Sequence, residues 1–446
     1  MQAIEHLRYE AMVRIHADAY DSVDFFSDES LLPNPYPYFD HLRAKSPVLR
    51  LPPHQVMAIT GYPEGNAVYR DSGNFSSLVA VGGPFPPLPF EPRGDDIGEQ
   101  IERHRHRMPM SNYLTTMDPP QHSRARALLG RLLTPERRAC ATESMRRLAG
   151  DLIDQFIATG HCEFVSEYAK PFSYRVIADL LGVPGHDRRL FDVPRPPVPV
   201  GALDHAPLPE DPLRWLDDIF VRYLVERRRE PRADVLTQLA TARYPDGTTP
   251  EVADLARSAT LLFTAGRGAT AFMLSWSVRL LAERPDLAEQ LRANRSRIPQ
   301  FVEEVLRMES PVKSDFRLAR KTTRVGDVVI PAGTTVMLCP GASNRDPRKF
   351  VRPNEFRLDR SNARDHMAFG RGAHSCPGAA LARVEARISI ECILDRLTAI
   401  RLSTAEHGAP DNRRFSYEPA YTLRALTGLH LEFAPALPQP LNSAEM

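Results

Sequence analysis

Three features of the sequence predict a helix-rich α+β fold. Apolar residues recur every three or four positions over long runs, strand signals are few and short, and strands do not alternate with helices as βαβ units require. Helical spacing runs through His122 to Leu133, Glu143 to Ile157, Leu213 to Val225 and Asp286 to Arg292. The longest run, Glu251 to Glu283, stops at Arg284-Pro285, where proline removes a donor and biases its predecessor away from helix. It is apolar on most sides through Ala259-Thr-Leu-Leu-Phe-Thr-Ala-Gly266, so it is expected to cross the core. Strand alternation marks Gln55 to Thr60 and Arg324 to Leu338, the latter with turn residues at Gly326-Asp327 and Pro331-Ala332-Gly333.

Proline punctuates the rest. The 41 prolines concentrate in Pro84 to Pro92 and again in Pro184 to Pro212. Neither segment is rich in the Gly and Ser of a flexible tether, so loops near 76–112 and 184–212 are expected to roof a site. With 42% hydrophobic and 25% charged residues, the 446-residue chain has ample material for a buried core and is read as one domain, 1–446. Its 57 basic and 56 acidic side chains leave a net charge of +1, which argues against nucleic acid as a partner. Glu5, Arg8, Glu10 and Arg14 interrupt any early apolar run, so neither signal peptide nor membrane anchor is expected. Five cysteines, Cys140, Cys162, Cys339, Cys376 and Cys392, are odd in number and widely spaced. That is not a disulfide framework, and a cytoplasmic location is expected.

One cysteine stands apart. Phe369-Gly-Arg-Gly-Ala-His-Ser-Cys-Pro-Gly378 runs into the helical Ala379 to Arg387, so Cys376 meets the free N–H groups and positive dipole end of a helix. Such a setting is expected to favour the thiolate. Zinc would need further Cys or His ligands at short spacing, and only His374 is near. A nucleophile would need a histidine base, and His374, two residues away, points elsewhere in most geometries. The third reading is a single thiolate beneath a heme iron.

The full pattern F-G-x-G-x-H-x-C-x-G resembles the heme-binding signature of the cytochrome P450 family, specifically its soluble bacterial members, and the resemblance covers nearly the whole chain. It implies a helix-rich triangular prism with small β-sheets, heme b as cofactor and Cys376 as the metal ligand. Glu304-Val-Leu-Arg307 matches the family's E-x-x-R element, and Pro347 to Arg360 its meander. Glu355 stands where that pattern often has arginine, leaving Arg357 or Arg360 as candidate third partners of the pair. The resemblance assigns the heme propionates to His122, Arg126, Arg317 and His374, and places Phe369, Gly370 and Gly378 in the cysteine loop around the cofactor.

The distal helix departs from the family pattern A-G-x-[D/E]-T. Ala265 and Gly266 match, but Gly268 holds the acid position and Ala269 the alcohol position, with Thr270 one residue late, about 100° around the helix. Gly266-Arg-Gly268-Ala-Thr-Ala271 also fits a dinucleotide fingerprint; a Rossmann unit would need a strand about 20 residues on, where helix continues instead. The resemblance implies a monooxygenase acting on an apolar small molecule, with electrons from a separate ferredoxin or flavodoxin. Arg364 and Arg371 are candidate docking cations for that partner. Two alternatives stay open: a peroxide-using enzyme in which Arg267 binds a substrate carboxylate, and a heme-bearing ligand binder without catalysis.

Overall fold

The computed structural model describes residues 20–130, 132–191, 200–209 and 211–436. The expectation about a signal segment falls on residues 1–19, and parts of the 184–212 roof on 192–199 and 210; both lie outside the described residues. In chain order the main elements are α1 (Tyr36–Lys45), β1 (Val48–Leu51), β2 (Val56–Ile59), α2 (Tyr62–Arg70), β3 (Phe75–Ser76), α3 (Gly98–His104), α4 (Gln121–Gly130), α5 (Pro135–Asp154), β4 (His161–Glu163), α6 (Lys170–Leu181), α7 (Arg214–Arg229) and α8 (Val235–Ala240). They continue with α9 (Val252–Glu283), α10 (Pro285–Ala293), α11 (Ile298–Met308), β5 (Asp315–Ala319), β6 (Thr323–Val325), β7 (Val328–Ile330), β8 (Thr335–Leu338), α12 (Ala379–Arg396), β9 (Leu397–Leu402) and β10 (His430–Pro435).

The helix-rich α+β expectation holds, with differences at the edges. The expected Arg324–Leu338 hairpin divides: β6 and β7 pair alone across Gly326, whose φ of +56° suits only glycine comfortably. After Gly333, at φ +84°, β8 leaves to join a five-stranded sheet ordered β1-β2-β8-β5-β3. The helix expected from Glu143 begins eight residues earlier, at Pro135, because the Thr134 side chain caps the N–H of Arg137 and proline fits the first turn. It ends at Asp154, leaving Ile157 in a separate 3₁₀ turn. Among the described residues no helix is long and apolar enough to cross a membrane, and all five cysteines are free.

Helix α9 organises the core. Its 32 residues span about 48 Å and pack against α6, α7 and α12. It is α-helical throughout. Helix α11 sets a fully buried ion pair beside it. Arg307 donates from Nε and Nη2 to both oxygens of Glu304 at 2.8 Å each, and from Nη1 to the carbonyls of Asn344 and Pro353. Arg360 supplies the third partner, Nε to Glu304 Oε1 at 2.9 Å, while Arg357 offers only its backbone N–H and turns its guanidinium to Asp359. This cluster anchors the 350s segment that leads to the cysteine loop.

Candidate active site

The cysteine loop is bent by two glycines in left-handed conformation, Gly370 at φ +62° and Gly372 at φ +68°. A Cβ on Gly372 would lie 2.4 Å from the Tyr69 carbonyl oxygen, so the loop touches the end of α2 only because glycine has no side chain. Gly372→Ala is therefore expected to lower stability by about 1–3 kcal/mol in urea unfolding and to weaken cofactor retention. Gly378 has an ordinary φ, and a Cβ there would stand in normal contact, 3.8 Å from Cys376 Sγ. The Cys376 N–H donates to the Phe369 carbonyl at 2.8 Å, closing the loop just ahead of α12.

The electrostatics at Cys376 differ from the sequence expectation. Burial pushes the thiol up, and the N–H groups of Gly378 and Ala379 with the Arg126 charge offset this only in part. The helix end alone does not hold a thiolate here; a bound cation would. Behind the loop, Arg383 lies 4.6 Å over the Phe369 ring and makes two hydrogen bonds to Glu303, at 2.6 and 3.0 Å. Burial works to raise Glu303, but hydrogen bonds from His366 and Arg383 outweigh it and hold the carboxyl at about 2.

Cys376 opens into a cavity of about 420 Å³ between α9 and α12. Ala265, Gly266, Ala269 and Thr270 line its α9 wall; Phe369, Gly370, His374, Cys376 and Gly378 line the loop wall, with His122 and Arg126 beside them. Gly266 is small for a packing reason as well: a Cβ would come within 3.0 Å of Ile177 on α6. Gly268 faces Phe272 and lies outside the cavity lining. Arg317 is not in the lining either, but its charge bears on both His122 and His374. Positions i and i+2 of a strand share a face, so Asp315 on β5 captures Arg317 at 3.0 Å and lines the cavity in its place. Arg267 also points away, its guanidinium 5.5 Å over Tyr174 and 5.7 Å over Phe263.

The donor set suits a dianionic, planar cofactor. Both ring nitrogens of buried His122 lack partners, and its ring lies 3.9 Å from that of His374. His374 meets Ser77 Oγ at 3.1 Å, and Arg126 donates to the Ser375 carbonyl at 2.6 Å. Unpartnered buried donors next to a guanidinium are what two carboxylates would satisfy. Burial, with the nearby Arg126 charge, lowers His122 to about 4, and an anion held beside it would pull that value back up.

Described residues of both loops reach this cavity. Ala80 and Val81 of the first and Val200 of the second line it. Phe85 stacks on His205 at 3.8 Å and 19°, and Tyr421 donates to the Gly82 carbonyl. Within the Arg103–Arg107 stretch, Arg105 turns inward to Asp118 at 2.6 Å, and His104 stacks on Phe90. Of the candidate docking cations, Arg364 is largely exposed, whereas Arg371 donates to the carbonyls of Asp365 and His366. Sequence reasoning missed Glu385, the seventh residue of α12, which also lines the cavity.

The helix-rich fold and the single cysteine, Cys376, that opens into this cavity fit the heme-thiolate class of oxidoreductases. The family model for cytochrome P450 matches residues 216–413. Cytochrome P450 144 of Mycobacterium tuberculosis is 31% identical over 86% of this chain and 87% of its own length. The biotin biosynthesis cytochrome P450 of Bacillus subtilis is 30% identical over 91% and 98%. The solved structure of Mycobacterium marinum cytochrome P450 CYP150A6, in its substrate-free form, superimposes with a TM-score of 0.87 at 58% identity, covering 94% of this chain and all of that one. The chain is a member of the cytochrome P450 family, enzymes that carry heme b and generally act as monooxygenases.

Proposed function

We propose that the protein inserts one oxygen atom into an apolar small molecule, with electrons from a separate ferredoxin or flavodoxin. The observation that carries this reading is the cavity itself, where Cys376 stands across from the small residues Ala265 and Ala269 and beneath a rim of unpartnered donors. Cys376 would ligate the iron, His122, Arg126 and His374 would hold the propionates, and Phe369, Gly370 and Gly378 would flank the sulfur. Arg317 would act at one remove, as a buried positive charge held by Asp315. Heme b with a thiolate ligand supplies activation of dioxygen. The chain's own part is to orient the guest and exclude water: Val81, Leu114, Ile177, Leu261 and Leu262 give the cavity apolar walls. Free cysteines fit work in a reducing cytoplasm, and exposed Arg364 fits an acidic redox partner.

The carbon monoxide difference spectrum of the reduced protein tests the ligand assignment, and a spin-shift screen of apolar compounds tests the guest. A Soret band without the thiolate red shift would overturn the reading. The peroxide-driven alternative loses its residue, because Arg267 faces Tyr174 and not the cavity. Accordingly, Arg267→Ala is expected to leave reductant-driven turnover within about twofold of the parent, and peroxide alone is not expected to sustain it. Turnover with reductant separates the enzyme from a mere ligand binder.

A further inference from the structure

We infer that the guest of this enzyme is an elongated molecule with an apolar body and a neutral hydrogen-bonding end, and that this end sits in a second chamber behind Leu114 and Leu261. The inference deepens the monooxygenase reading above and rests on it.

The chamber measures about 200 Å³ and lies between the loop before α4, α4 itself and the first half of α9. Leu114 and Leu261 line both this chamber and the Cys376 cavity, so the two spaces are neighbours with one pair of side chains at their boundary. A single face of α9 floors both. Asp254, Arg257, Ser258 and Leu261 line the chamber, and Leu261, Ala265 and Ala269 line the cavity, a run of three- and four-residue steps that keeps to one side of a helix.

The two spaces differ in chemistry. Beyond the apolar walls of the cavity, the chamber presents the exposed side-chain amides of Asn112 and Gln121. Ser258 Oγ donates to the Asp254 carbonyl at 3.0 Å and keeps its lone pairs free to accept. Each cation there already has its acid: Arg257 donates to Asp254 at 2.7 Å, and Arg124 lies 3.2 Å from Asp246 with its guanidinium 4.0 Å over the Tyr244 ring. Charge therefore does not select an ionic group, whereas two amides and a hydroxyl suit a hydroxyl or carbonyl on the guest. A site built to hydrogen-bond one end of a guest discriminates against analogues that lack it, because its own polar groups are then covered and left unpaired.

The shared face also sets a length. From Ser258 to Ala265 and Ala269 the helix advances about 10–16 Å. With its polar end on Ser258 and about 1.2 Å per bond of extended chain, the guest brings beside Cys376 the carbons about nine to thirteen bonds away.

Spectral titration of the holoenzyme with the primary alcohol dodecanol and with dihexyl ether reads the chamber without turnover. The two are isomers, with the oxygen at the end of the chain in one and at its middle in the other. Dodecanol is expected to bind about tenfold more tightly, and the ratio should fall to within about twofold in Gln121→Leu/Ser258→Ala, whose side chains line the chamber and not the Cys376 cavity. In turnover, oxygen is expected on the half of the dodecanol chain farther from the hydroxyl. The inference is overturned by equal affinity for the two isomers, by a ratio that survives the double substitution, by oxidation beside the hydroxyl, or by dodecanoate binding more tightly than dodecanol, which calls for a charged end. A holoenzyme that keeps the alcohol preference, loses it in the double variant and yet forms no product with reductant overturns the monooxygenase reading instead.

Discussion

Arg307→Ala is expected to lower the unfolding free energy by about 3–5 kcal/mol, read from urea denaturation of the holoprotein. The magnitude follows from what the substitution leaves behind. Glu304 is fully buried, and two of its strongest partners are the Nε and Nη2 groups of Arg307, so truncation strands a carboxylate with only Arg360 and one backbone N–H. Arg307 also ties down the Asn344 and Pro353 carbonyls, and losing those contacts frees the segment leading to the cysteine loop. Heme loss should therefore accompany the drop in stability. Arg307→Lys keeps the charge but cannot make the fork, and should fall between parent and alanine. An unchanged denaturation midpoint for Arg307→Ala would show that the pair merely tolerates burial and anchors nothing.

Cys376→Ser is expected to abolish both the red-shifted carbon monoxide band and monooxygenation. Serine occupies nearly the same space, so Gly378 and the Phe369 carbonyl keep their contacts and the loop retains its shape. What disappears is the thiolate. Burial already pushes the Cys376 thiol up despite the helix N–H groups, and an alcohol in that place starts from a far higher value. Heme content measured beside turnover separates loss of the ligand from loss of the cofactor. A variant with full heme and undiminished turnover would remove the sulfur from the proposed chemistry.

The parts of the molecule legible in the sequence are those whose cause is local. Helix α9 lies within one residue of the expected Glu251–Glu283 because Pro285 makes the residue before it a poor helix former. The cysteine loop is legible because its glycines meet a left-handed requirement written into the chain itself. Arg267 turns away from the cavity as its place on a regular helix dictates. What depends on a crossing of distant elements is not legible. Strand β3 has two residues and exists only through its pairing with β5, and Ser77 meets His374 across 297 residues. Glu385 reads as one more charge on an amphipathic helix until α12 brings it against α9. Arg317 is legible in place but not in pairing: its charge bears on His122 and His374, while Asp315, two residues away on the same strand face, holds its guanidinium.

The stack of Phe85 on His205 has a kinetic meaning. One ring belongs to the segment before α3 and the other to the segment before α7, and Tyr421 pins the first from below through the Gly82 carbonyl. A guest that enters between these two segments must part this stack, so along that route its entry and its exit share one barrier. Association is then set by how often the clasp opens and not by how often guest and protein collide, and the measured on-rate should saturate at high guest concentration. Loosening the clasp with Phe85→Ala would speed arrival and departure alike while leaving their ratio, and hence the affinity, nearly where it was.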